Sequence, residues 1–342
     1  MTEKTAAAVQ EFLKSLRVGE KQHKDGLTIF PLHSDMKSDY DYLTLDEALK
    51  EGVIRVTEVG SGTVPEIRVL NKGAKDVFIM DGEELIGAKQ NRIVNISLIV
   101  PAESETGIPV SCVEQGRWHH VSKEFCASEN ISYANLRKKQ KASVMYSAER
   151  AGKFQADQGE VWEDIACCMS ARKISSPTAA MSDIYKKEKS RIDDYKDIFK
   201  PEEDQIGAVF AIGKNIFGMD IFDKEATCKK LMPKIINNYV MEILYGDKSA
   251  NQPDNKDAEE FLRAVYESQF SSRKSPGAGM TVSITGKTAG GTSLVAAKNT
   301  VVHTAIFNKA EHQQQKEKPA EDANLSYLSN PSRRRNFNIS ED

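Results

Sequence analysis

The sequence predicts an α+β fold: an antiparallel β-sandwich or open barrel decorated by a helical segment, with additional C-terminal strands. Three observations point there. Over residues 54–112 apolar residues recur at every second position, at Ile54 and Val56, Ile67 and Val69, then Ile108, Val110 and Cys112, and short turns without helical pattern separate these runs, as in antiparallel sheets. After Ser132 the pattern turns helical to about residue 200. From Ile206 apolar strands return, alternating with two further helices.

Each element has a local reason. Val9, Phe12, Leu13 and Leu16 fall at three- and four-residue intervals, predicting an amphipathic docking helix over residues 1–18. Residues 27–32 read as a short apolar strand, and Thr44 with Glu47 three residues on has the capping-box spacing of a helix that should end near Gly52. Turns are expected at 60–62 and 71–73, a short buried strand at 77–80, and one longer strand carrying Val94, Ile96, Leu98 and Val100 and closed by Pro101. Residues 134–148 and 156–166 predict helices; in the second, Val161, Ile165 and Cys168 or Met169 face inward and Trp162 joins the core. Ser176 as N-cap and Pro177 at the first helical position open a lysine-rich helix whose charge reads as a solvated face.

Residues 206–212 and 216–222 predict a hairpin about a 213–215 loop. Asp220 interrupts its second strand and needs either an edge position or a partner. Helices through Leu231 and Phe261, then strands at 280–285, 293–297 and 300–307, complete one expected domain over residues 1–308. That domain divides into the N-terminal helix, a β-rich part (27–120), a helical part (132–200) and an α+β part (205–308). Residues 309–342 are too polar to fold alone and are expected to form a disordered tail.

Composition narrows the function classes. With 39% hydrophobic and 28% charged residues the chain has the balance of a soluble globular protein. A net charge of −3 offers no field to attract nucleic acid or an anionic membrane. No apolar run approaches the roughly 18–20 residues of a membrane helix, and the opening segment lacks the apolar core of a signal peptide, so a cytoplasmic location is expected. Cys112, Cys126, Cys167, Cys168 and Cys228 show no C-x-x-C spacing and read as buried thiols. The H-E-x-x-H and G-x-S-x-G signatures are absent, and the Gly286-Lys287-Thr288 imitation of a phosphate loop has Thr281 where glycine is required.

The candidate site lies within residues 77–120. Asp81, Glu83 and Glu84 directly follow a buried strand; like charges so close raise one another's pKa, which suits general acid–base work, or else call for neighbouring cations. Gln90 and Arg92 supply amide and guanidinium donors at the same strand entrance, suited to ribose hydroxyls and phosphate. Glu114, Gly116, Arg117, Trp118 and His119 form a second cluster, in which glycine permits a tight turn and the indole offers a stacking face. Adjacent His119 and His120 would point opposite ways on an extended segment, so no metal set is read here. Farther on, Asp157 and Glu160 have the spacing of a helix cap.

DGEELIGAKQNR, IPVSCVEQGRW, ADQGEVWEDIA, SPTAAMSDIY and QIGAVFAIGKNIFGMDIF together resemble the bacterial ARG and Rhodanese-Phosphatase-superfamily-associated Protein domain family, ARPP, over roughly residues 27–307. The resemblance carries that family's motif positions onto Asp81, Gly82, Glu83, Glu84, Gln90, Arg92, Glu114, Gly116, Arg117, Trp118, Asp157, Gln158 and Glu160. It implies an enzyme or accessory subunit handling an ADP-ribose-like or other NAD-derived nucleotide in a conflict or repair setting, a hydrolase being one reading and the reaction itself not fixed by the resemblance. Asp81, Glu83, Glu84 or Glu114 would then act as base or bind ribose hydroxyls. Arg92 and Arg117 would hold phosphate and Trp118 would stack, with His119, Gln90, Asp157, Gln158 and Glu160 completing the ligand contacts. The other reading is a non-catalytic binding or assembly module whose polar clusters are a structural ion-pair network or a partner interface. Reaction, cofactor, metal and oligomeric state are left open.

Overall fold

A computed structural model describes residues 2–60, 62, 65–245 and 252–309. Residues 310–342 of the expected tail, 246–251 between the predicted helices through Leu231 and Phe261, and Ser61 in the 60–62 turn lie outside them.

Helix α1 (Thr2–Lys14) buries Val9, Phe12 and Leu13. It stops short of residue 18 because the Ser15 hydroxyl turns back onto the Phe12 carbonyl (2.7 Å) and the next residues enter strand β1 (Arg17–Val18). Strands β2 (Gln22–Lys24), β3 (Leu27–His33) and β4 (Tyr42–Thr44) lead to α2 (Leu45–Lys50). There the capping box forms as expected, Thr44 Oγ1 accepting from Glu47 N and Glu47 Oε2 accepting from Thr44 N at 2.9 Å. The β-rich stretch then supplies β5 (Ile54–Glu58), β6 (Glu66–Asn71), β7 (Asp76–Ile79), β8 (Glu83–Gly87), β9 (Arg92–Val94), β10 (Leu98–Val100), β11 (Ser104–Cys112) and β12 (Phe125–Ile131).

The expected single strand carrying Val94, Ile96, Leu98 and Val100 is broken into β9 and β10, which join different sheets. The polar residues between them explain the break. Asn95 Oδ1 accepts from Ser111 Oγ and Gln140 Nε2, both at 2.8 Å, while Ser97 Oγ donates to Asp81 Oδ1 at 2.8 Å. All four apolar residues still enter one core.

The helical part comprises α3 (Ala134–Ala151), α4 (Gln158–Ala171) and α5 (Met181–Asp193). Asp157 caps α4, its carboxylate accepting from Gly159 N and Glu160 N; Trp162 is only half-buried. The lysine-rich helix starts at Met181, four residues later than the Ser-Pro signal predicts. Residues 176–180 instead pack beside the Glu114 segment, with Gly116 N donating to Thr178 O at 2.8 Å and Glu114 bridging to Ala180, and Ala179 adopts a positive φ of 52°.

The hairpin β13 (Gln205–Ile212) and β14 (Asn215–Phe222) forms about Gly213, followed by α6 (Glu225–Ile243) and α7 (Asn255–Tyr266). Strands β15 (Gln269–Lys274), β16 (Met280–Thr285), β17 (Ala289–Val295) and β18 (Val301–Asn308) end the described fold. β15 was not anticipated, because its polar sequence QFSSRK lies at a sheet edge.

Nine strands form one large sheet in the order β1-β3-β13-β14-β18-β17-β16-β15, with β2 paired to β3. Its strands alternate between two cores: Phe30, Leu32 and Val209 pack toward α1 and α7, whereas Leu27, Ile29, Ala208 and Phe210 pack toward α6. A six-stranded sheet, β12-β8-β9-β11-β6-β5, and a three-stranded one, β10-β7-β4, enclose a third core as a curled half-barrel. Pairing is antiparallel except between β4 and β7. The α+β class and its C-terminal strands are as expected.

Candidate functional site

The acidic turn after β7 sends its three carboxylates to different places. Asp81 is buried between the sheets, with Arg137 Nε at 3.0 Å and Lys141 Nζ at 2.9 Å, one turn apart on α3. Arg137 also reaches both oxygens of Asp220 on β14, and His303 on β18 lies with Nε2 3.2 Å from Asp220 and Nδ1 2.8 Å from Ser97 Oγ. Burial alone would lift both aspartates, yet the facing cations hold them below the usual carboxylate range, while burial holds His303 below its ordinary pKa. The set is therefore two anions, two cations and a neutral imidazole, closed to solvent. Gly82 makes it possible: at φ 84°, a Cβ there would stand 2.7 Å from Ser132 Oγ and 3.1 Å from Arg137 Cδ.

Glu83 points to α6, with Lys234 Nζ at 3.2 Å and its other oxygen accepting from Met80 N. Glu84 alone has no ion pair: it is 1% exposed, and the Ser128 hydroxyl is the polar group that faces its carboxylate. Burial pushes its pKa up to about 7, the Ser128 hydroxyl and Lys186 pull it partway back, and Glu114 and Asp183 push it up further.

The second cluster is assembled, but inward. Arg117 donates to Glu114 (2.5 Å), Asn91 Oδ1 (3.1 Å) and the carbonyls of Gly87, Ala88 and His119, so its guanidinium is spent on the protein. Thr178 Oγ1 and Asn91 N also donate to Glu114, and these bonds with Arg117 outweigh burial and lower its pKa. Gly116 is required for close approach, not for a left-handed turn, since a Cβ would stand 2.9 Å from Thr178 Cα.

Gln90, Arg92 and Gln158 meet around Cys112. Arg92, 0% exposed, contacts Gln90 Oε1, Cys112 Sγ and Glu58, and Gln158 bonds both the Cys112 N and O at 2.8 Å. Trp118 lies outside this group with its indole 48% exposed, and Lys89 Nζ and Arg92 Cζ sit 5.3 and 5.7 Å from the ring centroid. His119 is exposed; Asp157 and Glu160 are exposed at the start of α4. The predicted common mouth is thus replaced by separate sites: Asp81, Glu83 and Glu114 are taken up by cations, Arg92 and Arg117 by protein acceptors, and only Trp118, His119, Asp157 and Glu160 reach solvent substantially.

What opens beside Glu84 is a cleft of about 760 Å³. Lys186 and Lys189 of α5, Lys196 beyond it, and Lys230 and Lys234 of α6 line it, against the carboxylates of Asp46, Glu129 and Asp193. Ile86, Ile192, Phe199 and Met232 give it an apolar wall. Lys186, Lys230 and Lys234 are paired with Asp183, Glu47 and Asp46 at 3.1, 2.5 and 2.7 Å, whereas Lys189 is 64% exposed and 3.6 and 3.9 Å from Glu129 and Asp193, a geometry worth little in water. The lysines of the 176–199 segment, Lys186, Lys189 and Lys196, read in sequence as a solvated face, because their convergence with Lys230 and Lys234 of α6 needs the tertiary fold. Arg137, Lys141, Lys234 and Ser97 were likewise missed; Asp220, flagged as needing a partner, was the available signal.

No group of His, Cys, Asp and Glu among the described residues is placed to hold a metal ion, and no described helix is long and apolar enough to cross a membrane. Comparison with curated proteins and with solved structures found no match. The family model of the ARG and Rhodanese-Phosphatase-superfamily-associated Protein domain matches residues 15–307. That span takes in the strands, the buried charge network and the cleft, and the chain belongs to the ARPP family.

Proposed function

We propose that this ARPP protein binds an ADP-ribose-like or other NAD-derived nucleotide in the lysine-lined cleft. One observation carries the reading: five lysines from α5, α6 and the segment after α5 converge on a cleft whose volume lies within the range of small-molecule sites. Ammonium groups suit a pyrophosphate and the apolar wall suits a base or ribose face. The site differs from the sequence expectation, in which Arg92 and Arg117 held phosphate. A processing role is part of the proposal only through Glu84, the one of the four carboxylates expected to act as base that has no ion pair. The test is calorimetric titration of the full chain with ADP-ribose, NAD and AMP. Binding that is lost in Lys189→Glu/Lys196→Glu supports the reading, and absence of binding by all three compounds ends it.

A second reading, a module whose motif residues are structural, is favoured by the closed pairing of Asp81 with Arg137 and of Glu114 with Arg117. Under it, Asp81→Asn and Glu114→Gln lower stability without changing ligand affinity.

A further inference from the structure

Glu84 occupies an unusual position relative to the cleft. It shares one face of β8 with Ile86, two residues on, which lines the cleft. Opposite it the β12 strand is bulged: Ala127 pairs with Leu85 and Ile131 with Glu83, so residues 128–130 bow away from β8 into the cleft wall. The buried Glu84 carboxyl therefore sits behind Ser128, whose hydroxyl faces it, and has no ion pair. The charged and titratable groups facing it are Lys186, Asp183 and Tyr185 from α5 and Glu114 from the end of β11. Lys186 and Tyr185 themselves line the cleft.

We propose that occupation of the cleft by a phosphate-bearing ligand is coupled to uptake of one proton by the Glu84 carboxyl. This deepens the nucleotide-binding reading and rests on it. The physical cause is competition for Lys186. Its ammonium is the nearby cation that favours the ionised carboxylate, and an anionic ligand both engages that ammonium and adds negative charge at the wall. Two carboxylates, Glu114 and Asp183, already oppose ionisation, and Asp183 itself holds the Lys186 ammonium at 3.1 Å. The ligand consequently binds the protonated protein more tightly, and by linkage its binding raises the affinity of Glu84 for its proton. Glu84 titrates at about 7 before ligand arrives, so the coupling falls in the neutral range.

The experiment is calorimetric titration of the full chain with ADP-ribose in buffers of different ionisation enthalpy, at several pH values on both sides of neutrality. ADP-ribose is the probe because it lacks a terminal phosphate, whose second ionisation near about pH 6 would overlap. At and above neutral pH the wild-type protein is expected to take up a measurable fraction of a proton per ligand, and affinity to fall as pH rises, by less than about tenfold per pH unit. Glu84→Gln should bind with no proton uptake and an affinity that stays flat across the range. Binding without proton uptake by the wild type, a measurement that needs no variant, overturns the inference and leaves the cleft reading standing. Uptake that persists in Glu84→Gln also overturns it. No binding at any pH overturns both.

Discussion

Arg137 donates to both carboxylate oxygens of Asp220, Nη2 to Oδ1 at 2.6 Å and Nη1 to Oδ2 at 2.9 Å, while its Nε still reaches Asp81. A planar guanidinium can serve two carboxylates at once; an ammonium on a flexible stem cannot reproduce the fork. Arg137→Leu should therefore cost about 3–5 kcal/mol, because it strands buried charge. Urea unfolding measures this, and a loss below about 1 kcal/mol would show the network to be dispensable. Asp81 leaves the three-stranded sheet and Asp220 belongs to the large one, so neither can be buried unpaired while the other waits. A single unfolding transition by fluorescence and far-UV circular dichroism is expected.

Glu84 makes stability fall with rising pH. Its carboxyl titrates at about 7 in the fold against an ordinary 4.5, so between those values the folded chain holds a proton that the unfolded chain has released. Stability should decline across that window and level off above it, by about 3 kcal/mol at most. Glu84→Gln should flatten that part of the profile and be the more stable protein at pH 8. A wild-type profile that Glu84→Gln leaves unchanged would contradict this.

His303 acts with the opposite sign. Its pKa is lowered by burial from an ordinary 6.5, so on acidification the unfolded chain takes the proton first and stability is lost as pH falls below that value. His303→Gln, which leaves the other histidines in place, should lose less stability between pH 7 and pH 5 than the wild type does. Thermal melts of the two proteins across that range give the comparison.

Gly116→Ala should destabilise by about 1–3 kcal/mol, since the added methyl meets backbone and not a movable side chain. The same substitution at Gly152, which closes α3 with open space around it, involves no contact within 4 Å and only the cost of its left-handed φ. Guanidinium melts of the pair separate crowding from backbone conformation.

Local chemistry was legible where it was self-contained. The Thr44–Glu47 box, the Gly213 hairpin and the Asp157 cap each depend on neighbours within three residues, and each formed. Asp220 could be recognised as needing a partner because a charge inside an apolar strand cannot be buried alone; the partner itself could not, because Arg137 lies 83 residues away on a helix that read as ordinary. The α5 start was misplaced because the cap signal at Ser176 was real but was used otherwise, with Ser176 Oγ donating to Asp183 and accepting from Ala180 N. The expected site residues stand out in the sequence by residue type at strand ends. That signal cannot distinguish a carboxylate buried without a cation pair from one aimed at a buried guanidinium, and Glu84 and Asp81 illustrate the two outcomes three residues apart.

The break between β9 and β10 behaves unlike an ordinary connection. Ile96 fills the half-barrel core while Asn95 and Ser97 on either side reach different partners, Phe154 and Gln140 for one, Asp81 and His303 for the other. Adding or deleting one residue there would swap inside for outside along the whole segment and pull the serine hydroxyl away from the aspartate. Length variation, normally absorbed by the irregular parts of a chain, should find no tolerance at this crossing between sheets, and a one-residue insertion should be more damaging here than in the turn at Gly213.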